Sequence, residues 1–397
     1  MKKKNLILKL ILEKEPLSRK EIVEKSGIGN ITVSKIIKIL INEGKIVKDG
    51  KIIRGRGRRL SFYRINPDFY HSIIISYDGN KIIGGVTNYG NKIIFKEDKE
   101  FSEKDEELFI SRMISFIKNL KENSKLDEAK WKNIGISLLG AIDIKTGEVL
   151  GLCGWKKWER INLRKILEEE FKKDIFLFDN PDVLARMEFE IRKNENTKNL
   201  LYIYLGEGIG LGIILNGKIF YGSSGNCGEI GHIIVEKDGE RCYCGNYGCL
   251  EKFANISSII EKIKNGLKEG VHSEIEKIVN GNIEKIKIED IVECINRRDK
   301  LCIEVIENAG KYIGKVSAML VNIFNPDVIV FGGPLIKAGD FLLSIIKNSI
   351  LKEALPLLLE DLKIEFSNID ENEGILKGTN LCIADIFKNR IIKGGEE

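Results

Sequence analysis

Apolar residues recur at helical spacing from the first turn of the chain. Residues 4–14 place Leu6, Ile7, Leu10 and Ile11 on one face. Ser18-Arg19-Lys20-Glu21 is a capping box. The Ser18 hydroxyl can accept from the Glu21 N–H, and the Glu21 carboxylate can reach back to the Ser18 N–H. "KSGIGN" reads as a turn. "NITVSKIIKILINEG" then predicts a helix that buries Val33, Ile36, Ile37 and Leu40 and ends at Gly44. Two short helices across a tight turn predict a helix-turn-helix. Asp49-Gly50, between β-prone runs, predicts a hairpin turn, and Arg54, Arg56, Arg58 and Arg59 follow closely. Residues 1–66 therefore read as a winged helix-turn-helix.

After Asn66-Pro67 the pattern changes. "HSIIISY", "KIIGGVTN" and "NKIIFKE" predict three strands with short turns, then a helix near 103–122 and the strand "IGISLL". The series recurs: "NLLYIYLGEG", "IGLGIILNG" and "KIFYG", then helices, then the buried strand "DVIVFGG". A sheet with helical crossovers, occurring twice, predicts two α/β lobes over residues 67–397 with a cleft between them.

Charge sharpens the division. Residues 1–66 carry 18 Lys+Arg against 6 Asp+Glu, a net of +12, whereas the remainder carries 46 against 53, a net of −7. A basic head on an acidic body points to a polyanion, here double-stranded DNA. If Asn30 opens the second helix of the motif, Asn30, Ile31, Thr32, Ser34 and Lys35 lead it into the major groove. Asn30, Thr32 and Ser34 can bond base edges, Ile31 can touch a thymine methyl, and Lys35 can meet a phosphate. The wing arginines would lie near phosphates or a minor groove. No run of eighteen apolar residues marks a membrane span, and Lys9, Glu13, Lys14 and Glu15 interrupt the apolar start, so no signal peptide is read. The expectation is a cytoplasmic protein, where clustered cysteines more often bind metal than form disulfides.

Such a cluster exists. In "GEIGHIIVEKDGERCYCGNYGCLE", His232, Cys242, Cys244 and Cys249 have metal-ligand spacing. Three thiolates and an imidazole make a closed structural zinc site, with no open position for an activated water. Gly245 and Gly248 permit the turns. Glu229 and Glu251 flank the set, and a carboxylate pair beside a fixed imidazole suits a polyhydroxylated ligand.

This segment resembles the signature of the ROK family, named for repressors, open reading frames and kinases. "NIGISLLGAIDIKTGEVL", "GWKKWERINLRKILEEEF", "LGEGIGLGIILNGKIFYGSSGNCGEIGH" and "NIFNPDVIVFGG" follow in the family's order. The amino-terminal module resembles that of the repressor branch, which includes xylose and N-acetylglucosamine repressors. The resemblance implies an actin-like, ribonuclease H-like fold. One lobe would span about 67–185 with a C-terminal helix at 378–397, the other about 186–377. It implies zinc on His232, Cys242, Cys244 and Cys249, and sugar contacts from Glu229, His232 and Glu251; Asn180 is a further candidate sugar contact.

Three elements of the family's kinases are altered. Asp78 and Gly79 remain of the first phosphate loop, but not in its order. In "FDNPDVLAR", Asn180 is kept and Pro181 falls where the catalytic aspartate belongs; Asp182, one residue on, would be turned another way. In "LGEGIGLG", Glu207 replaces the threonine of a Gly-Thr-Gly phosphate turn. The glycines there read as architecture. Leu139 stands where many relatives have proline. The resulting expectation is a sugar-responsive transcriptional regulator, a repressor, without catalytic residues and acting as a homodimer or homotetramer. The alternative is an ATP-dependent sugar kinase with an appended DNA-binding domain. A third reading makes the body a dimerisation platform alone.

Overall fold

The computed structural model describes residues 2–52, 60–101, 105–152, 155 and 160–392. The amino-terminal module comprises α1 (Lys2–Lys14), β1 (Leu17–Ser18), α2 (Arg19–Ser26), α3 (Asn30–Asn42), β2 (Ile46–Ile52) and β3 (Leu60–Ile65). Its strands pair antiparallel in the order β1-β3-β2, giving a winged-helix arrangement. The capping box forms: Glu21 N donates to Ser18 Oγ at 3.2 Å, and Ser18 N to Glu21 Oε2 at 2.8 Å. Gly27, at φ +65°, ends α2 and turns the chain into α3. Val33, Ile36, Ile37 and Leu40 are buried as their spacing predicts.

Two expectations for this module are corrected. Helix α1 buries Ile7, Leu8, Ile11 and Leu12, while Leu6 is exposed. The helix is rotated because it packs against β3 and the last helix of the chain as well as α2 and α3. Asp49-Gly50 is not a hairpin turn. Strand β2 continues to Ile52, and its register against β3 slips between Asp49 and Lys51. The dipeptide forms a bulge, which favours the same residue types as a turn. Arg54, Arg56, Arg58 and Arg59 lie outside the described residues.

The body begins with β4 (His71–Tyr77), β5 (Lys81–Asn88), β6 (Ile93–Glu100), α4 (Glu106–Asn123) and β7 (Trp131–Leu138). A small sheet of β8 (Gly140–Asp143), β9 (Glu148–Leu152) and β10 (Ile161–Asn162) follows, then α5 (Leu163–Phe171), β11 (Asp174–Asp179) and α6 (Asn180–Ile191). The main sheet has the order β11-β7-β4-β5-β6. Strands β4 to β6 form an antiparallel meander, and β7 and β11 join in parallel.

The second half repeats the plan. It contains β12 (Leu200–Leu205), β13 (Ile209–Leu215), β14 (Lys218–Ile219), α7 (Glu251–Ala254), α8 (Ile256–Lys268), α9 (Ile275–Ile278) and α10 (Ile288–Asn296). Then come α11 (Lys300–Phe324), β15 (Val328–Gly332), α12 (Gly339–Glu353), β16 (Lys363–Phe366) and α13 (Glu371–Ile392). The sheet order β14-β13-β12-β15-β16 again joins an antiparallel meander to two parallel strands.

Helices α6 and α13 lie between the two sheets. One apolar cluster joins Ile74 and Phe178 of the first sheet, Val183 and Leu184 of α6, Tyr202 and Val330 of the second sheet, and Leu376 and Ile383 of α13. Close approach is bought with glycine: a Cβ on Gly378 would lie 2.0 Å from Val183 O, and one on Gly212 would lie 2.2 Å from Pro181 O. The helix placed at 378 begins earlier, at Glu371, where Asp370 Oδ1 accepts from Glu373 N at 2.9 Å. The lobe limit drawn at 185 falls inside α6, which continues to Ile191.

Candidate functional site

Between β14 and α7 the chain forms a loop with one short helical turn, Ile230–His232. The ligand atoms of His232, Cys242, Cys244 and Cys249 all lie within 4.8 Å of one another. Cys244 Sγ and Cys249 Sγ are 3.6 Å apart, and Cys242 Sγ is 3.7 Å from His232 Nδ1. A tetrahedron with zinc–sulfur bonds of about 2.3 Å has edges of about 3.8 Å, so the donor set and its spacing fit zinc. Gly248 allows the fold of the loop: its φ is +71°, and a Cβ there would sit 1.6 Å from Glu236 O. Burial, then the neighbouring thiols, pushes the Cys249 thiol up, a cost that a bound cation would remove.

His232 has its Nδ1 beside Cys242, so Nε2 faces away from the thiols. That nitrogen lies 3.1 Å from the Tyr243 hydroxyl, and the two rings meet edge to face at 5.1 Å. Glu251 is buried at the start of α7, and its Oε1 accepts from Ile209 N at 2.9 Å. Burial raises its carboxyl, opposed by the Ile209 N–H and by His232. Glu229 keeps more exposure, yet desolvation still raises it; His232 opposes this and Glu251 adds to it.

The start of α6 brings further carboxyls here. Asp182 is buried and is pushed up to about 8, first by desolvation and then by the charge of Glu229. Asp179 is raised by desolvation, then by Asp182 and Glu229. Asp182 therefore lies within electrostatic reach of Glu229. The Pro181 ring beside it packs on Gly210 of β13. Asn180 is fully buried, its Oδ1 accepting from Ser137 Oγ while its Nδ2 has no partner among the described residues. It is fully enclosed rather than presented to solvent.

The two altered phosphate loops are occupied by their own contacts. Asp78 Oδ1 accepts from Asn80 N and Lys81 N, closing the β4–β5 turn on itself. Glu207 accepts from the Ser257 hydroxyl, and its carbonyl accepts from Asn255 Nδ2 at 2.8 Å. Both carboxylates line a cavity of about 350 Å³ together with Glu289, and Lys287 is the one cation in its wall. Glu289 in that wall is paired with Lys337, whose Nζ lies 2.5 Å from its Oε1.

On the amino-terminal module, Asn30, Ile31 and Lys35 are exposed, and Thr32 and Ser34 are half-buried. Ile31, at 76% exposure, has no packing role that would explain an isoleucine there. Ile31, Ser34 and Lys35 share one outer face of α3 with Lys38, and Arg19 of α2 donates to Ser34 Oγ at 3.1 Å.

The family model described as "ROK family" matches residues 73–377. The chain belongs to the ROK family. It is 30% identical over 369 residues to the DNA-binding transcriptional dual regulator NagC of Escherichia coli strain K12, across 93% of this chain and 89% of that one. It is 28% identical over 385 residues to the xylose repressor of Caldicellulosiruptor bescii, across 97% and 96%. The crystal structure of a ROK family transcriptional regulator, a homologue of the E. coli MLC protein, superposes with a TM-score of 0.80 at 25% identity over 98% of both chains. A ROK glucokinase from Streptomyces griseus, in complex with glucose and AMPPNP, shares the fold, with a TM-score of 0.67 at 21% identity over 78% of this chain and 98% of its own.

Within this ROK body the structure brings His232 into the thiol cluster and places Glu229 within electrostatic reach of His232 and Glu251, while Asn180 is buried at the start of α6. Sequence reasoning missed Tyr243 and Arg19. Tyr243 sits between two cysteines at 78% exposure, and that exposure, unusual for a tyrosine, is not visible in the sequence. Arg19 looks like an ordinary first-turn residue until α2 and α3 are packed together. Among the described residues no helix is long and apolar enough to cross a membrane.

Proposed function

We propose that this ROK protein is a sugar-responsive, DNA-binding transcriptional repressor whose body senses the sugar and no longer phosphorylates it. The observation that carries this reading is the outer face of α3, Asn30-Ile31-Ser34-Lys35, on a basic module joined to a ROK body. The full-length similarity to NagC and to a xylose repressor supports it. Helix α3 would enter the major groove of a palindromic operator, two modules of a dimer reading the two half-sites. Arg19 would share a phosphate with Lys35, and the wing arginines would extend the contact.

Glu229, His232 and Glu251 would accept from and donate to the hydroxyls of a monosaccharide. Zinc, when bound, fixes the loop and leaves His232 Nε2 for that ligand. Asp182, protonated at neutral pH by its raised pKa, is an O–H donor in the same cleft rather than a ready base. The route from cleft to DNA is continuous. Helix α6 starts with Asn180 and Asp182 and packs on α13 through Gly378, and α13 packs against α1 of the winged helix. A sugar that favours one placement of α6 would bias the module by that amount and no more.

The test is a gel shift with DNA from the protein's own promoter region, with and without common hexoses, pentoses and amino sugars. Sequence-specific retardation that one sugar alters is expected. No specific shift at low salt would reject the reading. The kinase alternative rests on a buried carboxyl, Asp182, within electrostatic reach of Glu229. It predicts sugar-dependent ADP release in a coupled assay, abolished in Asp182→Asn; the reading proposed here predicts none.

A further inference from the structure

A cavity of about 570 Å³ lies away from the sugar cleft, where the winged helix meets the body. Its floor is apolar and comes from three parts of the chain. Leu8 and Leu12 belong to α1, Ile65 to β3, and Phe387 to the end of α13, with Tyr70 and Tyr89 from the first lobe. The aromatic rings are fixed against one another: Tyr70 lies 5.4 Å from Tyr89 and 5.2 Å from Phe387, centroid to centroid. Tyr70 is 4% exposed, and its buried hydroxyl has no hydrogen-bond partner among the described residues. Buried hydroxyls rarely go without one.

The rim is cationic. Six Lys and Arg side chains line the cavity against two carboxylates, Glu168 and Asp174. Asp174 is already taken by Arg390, whose Nη1 is 2.9 Å from its Oδ2. Lys132 and Lys172 have no ion-pair partner among the described residues, and Lys388 adds a further charge from α13. The volume suits a small organic ligand. An apolar floor under a ring of amines asks for an apolar body with a single negative head.

We propose that this cavity is a second ligand site, for a small amphipathic carboxylate: a phenyl ring or short alkyl chain seated on Leu8, Leu12 and Phe387, with its carboxylate among Lys132, Lys172 and Lys388. An acceptor entering beside Tyr70 supplies that hydroxyl with its missing partner. The walls come from both the DNA-binding module and the helix that links it to the cleft, so occupancy fixes their mutual placement. If the module binds DNA as proposed above, the site is a second input to operator affinity, independent of the sugar. Binding itself does not depend on that reading and is measured without DNA.

The experiment is isothermal titration of the full zinc-loaded chain with 4-phenylbutyrate and octanoate, and with 4-phenylbutanol and octanol as neutral counterparts. Octyl phosphate is a further arm that separates a carboxylate site from a general anion site. One saturable site per chain is expected, with each acid at least about tenfold tighter than its alcohol. The doubly substituted K132Q/K388Q chain, whose changes lie on the rim, should fold normally by circular dichroism and lose about tenfold in acid affinity. L8W should block both acids. Absence of saturable binding at millimolar ligand, equal binding of acid and alcohol, indifference to K132Q/K388Q, or tighter binding of the phosphate would each overturn the proposal.

Discussion

Replacing Gly378 by alanine tests the link between cleft and DNA-binding module most directly. The new Cβ would lie 2.0 Å from Val183 O and 2.7 Å from Val183 C. Both are backbone atoms of α6, so no side chain can swing away. An ordinary contact to a carbonyl oxygen needs about 3.2 Å, so the helices must part by about 1 Å. Overpacking of this kind costs about 1–3 kcal/mol, and a rigid backbone partner puts it at the upper end. Alanine returns about 1 kcal/mol over glycine in a helix. The net loss is about 2 kcal/mol, or a fall in melting temperature of about 3 °C for a body of this size. Gly374→Ala is the control. There the Cβ meets side chains and no backbone, Ile369 Cγ2 at 2.7 Å and Leu184 Cδ2 at 3.2 Å, so the cost should be smaller and the helix-propensity gain should offset part of it. Thermal melts of the two variants, followed by gel shifts with and without the active sugar, decide the matter. Gly378→Ala should retain zinc and bind both sugar and DNA, but the effect of sugar on DNA affinity should shrink. Equal melting temperatures for the two variants would refute the packing argument. A full sugar effect in a destabilised Gly378→Ala would refute the route.

Cys249→Ser should reduce metal content below one zinc per chain by mass spectrometry and abolish sugar-dependent thermal stabilisation, while the isolated fold of the winged helix survives. Tyr243→Phe removes the hydroxyl beside His232 Nε2 and should tighten sugar binding by about 0.5–1.5 kcal/mol, the worth of one hydrogen bond no longer competed away; weaker binding in titration calorimetry would show that Tyr243 itself holds the sugar. Lys35→Ala should weaken DNA binding to all sequences and flatten its salt dependence, whereas Asn30→Ala should relax preference at particular base pairs; a selection assay separates the two. Asp182 carries a pH prediction. Its folded pKa of about 8 lies above the ordinary 3.8, so the unfolded chain releases its proton first and stability falls as pH rises from about 4 to 8. Asp182→Asn should therefore match the parent near pH 4 and exceed it increasingly up to pH 8 in melting temperature. Parallel profiles would refute the buried, protonated carboxyl.

Local chemistry was legible where a residue's role is decided by its immediate neighbours. The Ser18–Glu21 capping box, the buried row of α3 and the thiol cluster follow from spacing alone. The duplicated plan of the two sheets was visible in the recurrence of three strands and a buried fourth. What escaped was decided by distant packing. Leu6 and Leu8 are equally apolar, and only contact with β3 and α13 selects Leu8. Asp49-Gly50 satisfies the rules for a turn and for a bulge, and the pairing partner decides between them. The true start of α13 was hidden because Gly374 and Gly378 interrupt its apolar pattern; those glycines serve contact with α6, which no local rule reveals.

The order of the parts along the chain gives the position of α13 a further meaning. The winged helix has an apolar core of its own and precedes both sheets in the chain. The helix that packs on it and on α6 follows the last strand of the second sheet. A chain truncated ahead of Glu371 would therefore keep the core of the winged helix and lose the element that touches both it and the cleft, so any DNA binding it retains should no longer answer to the sugar.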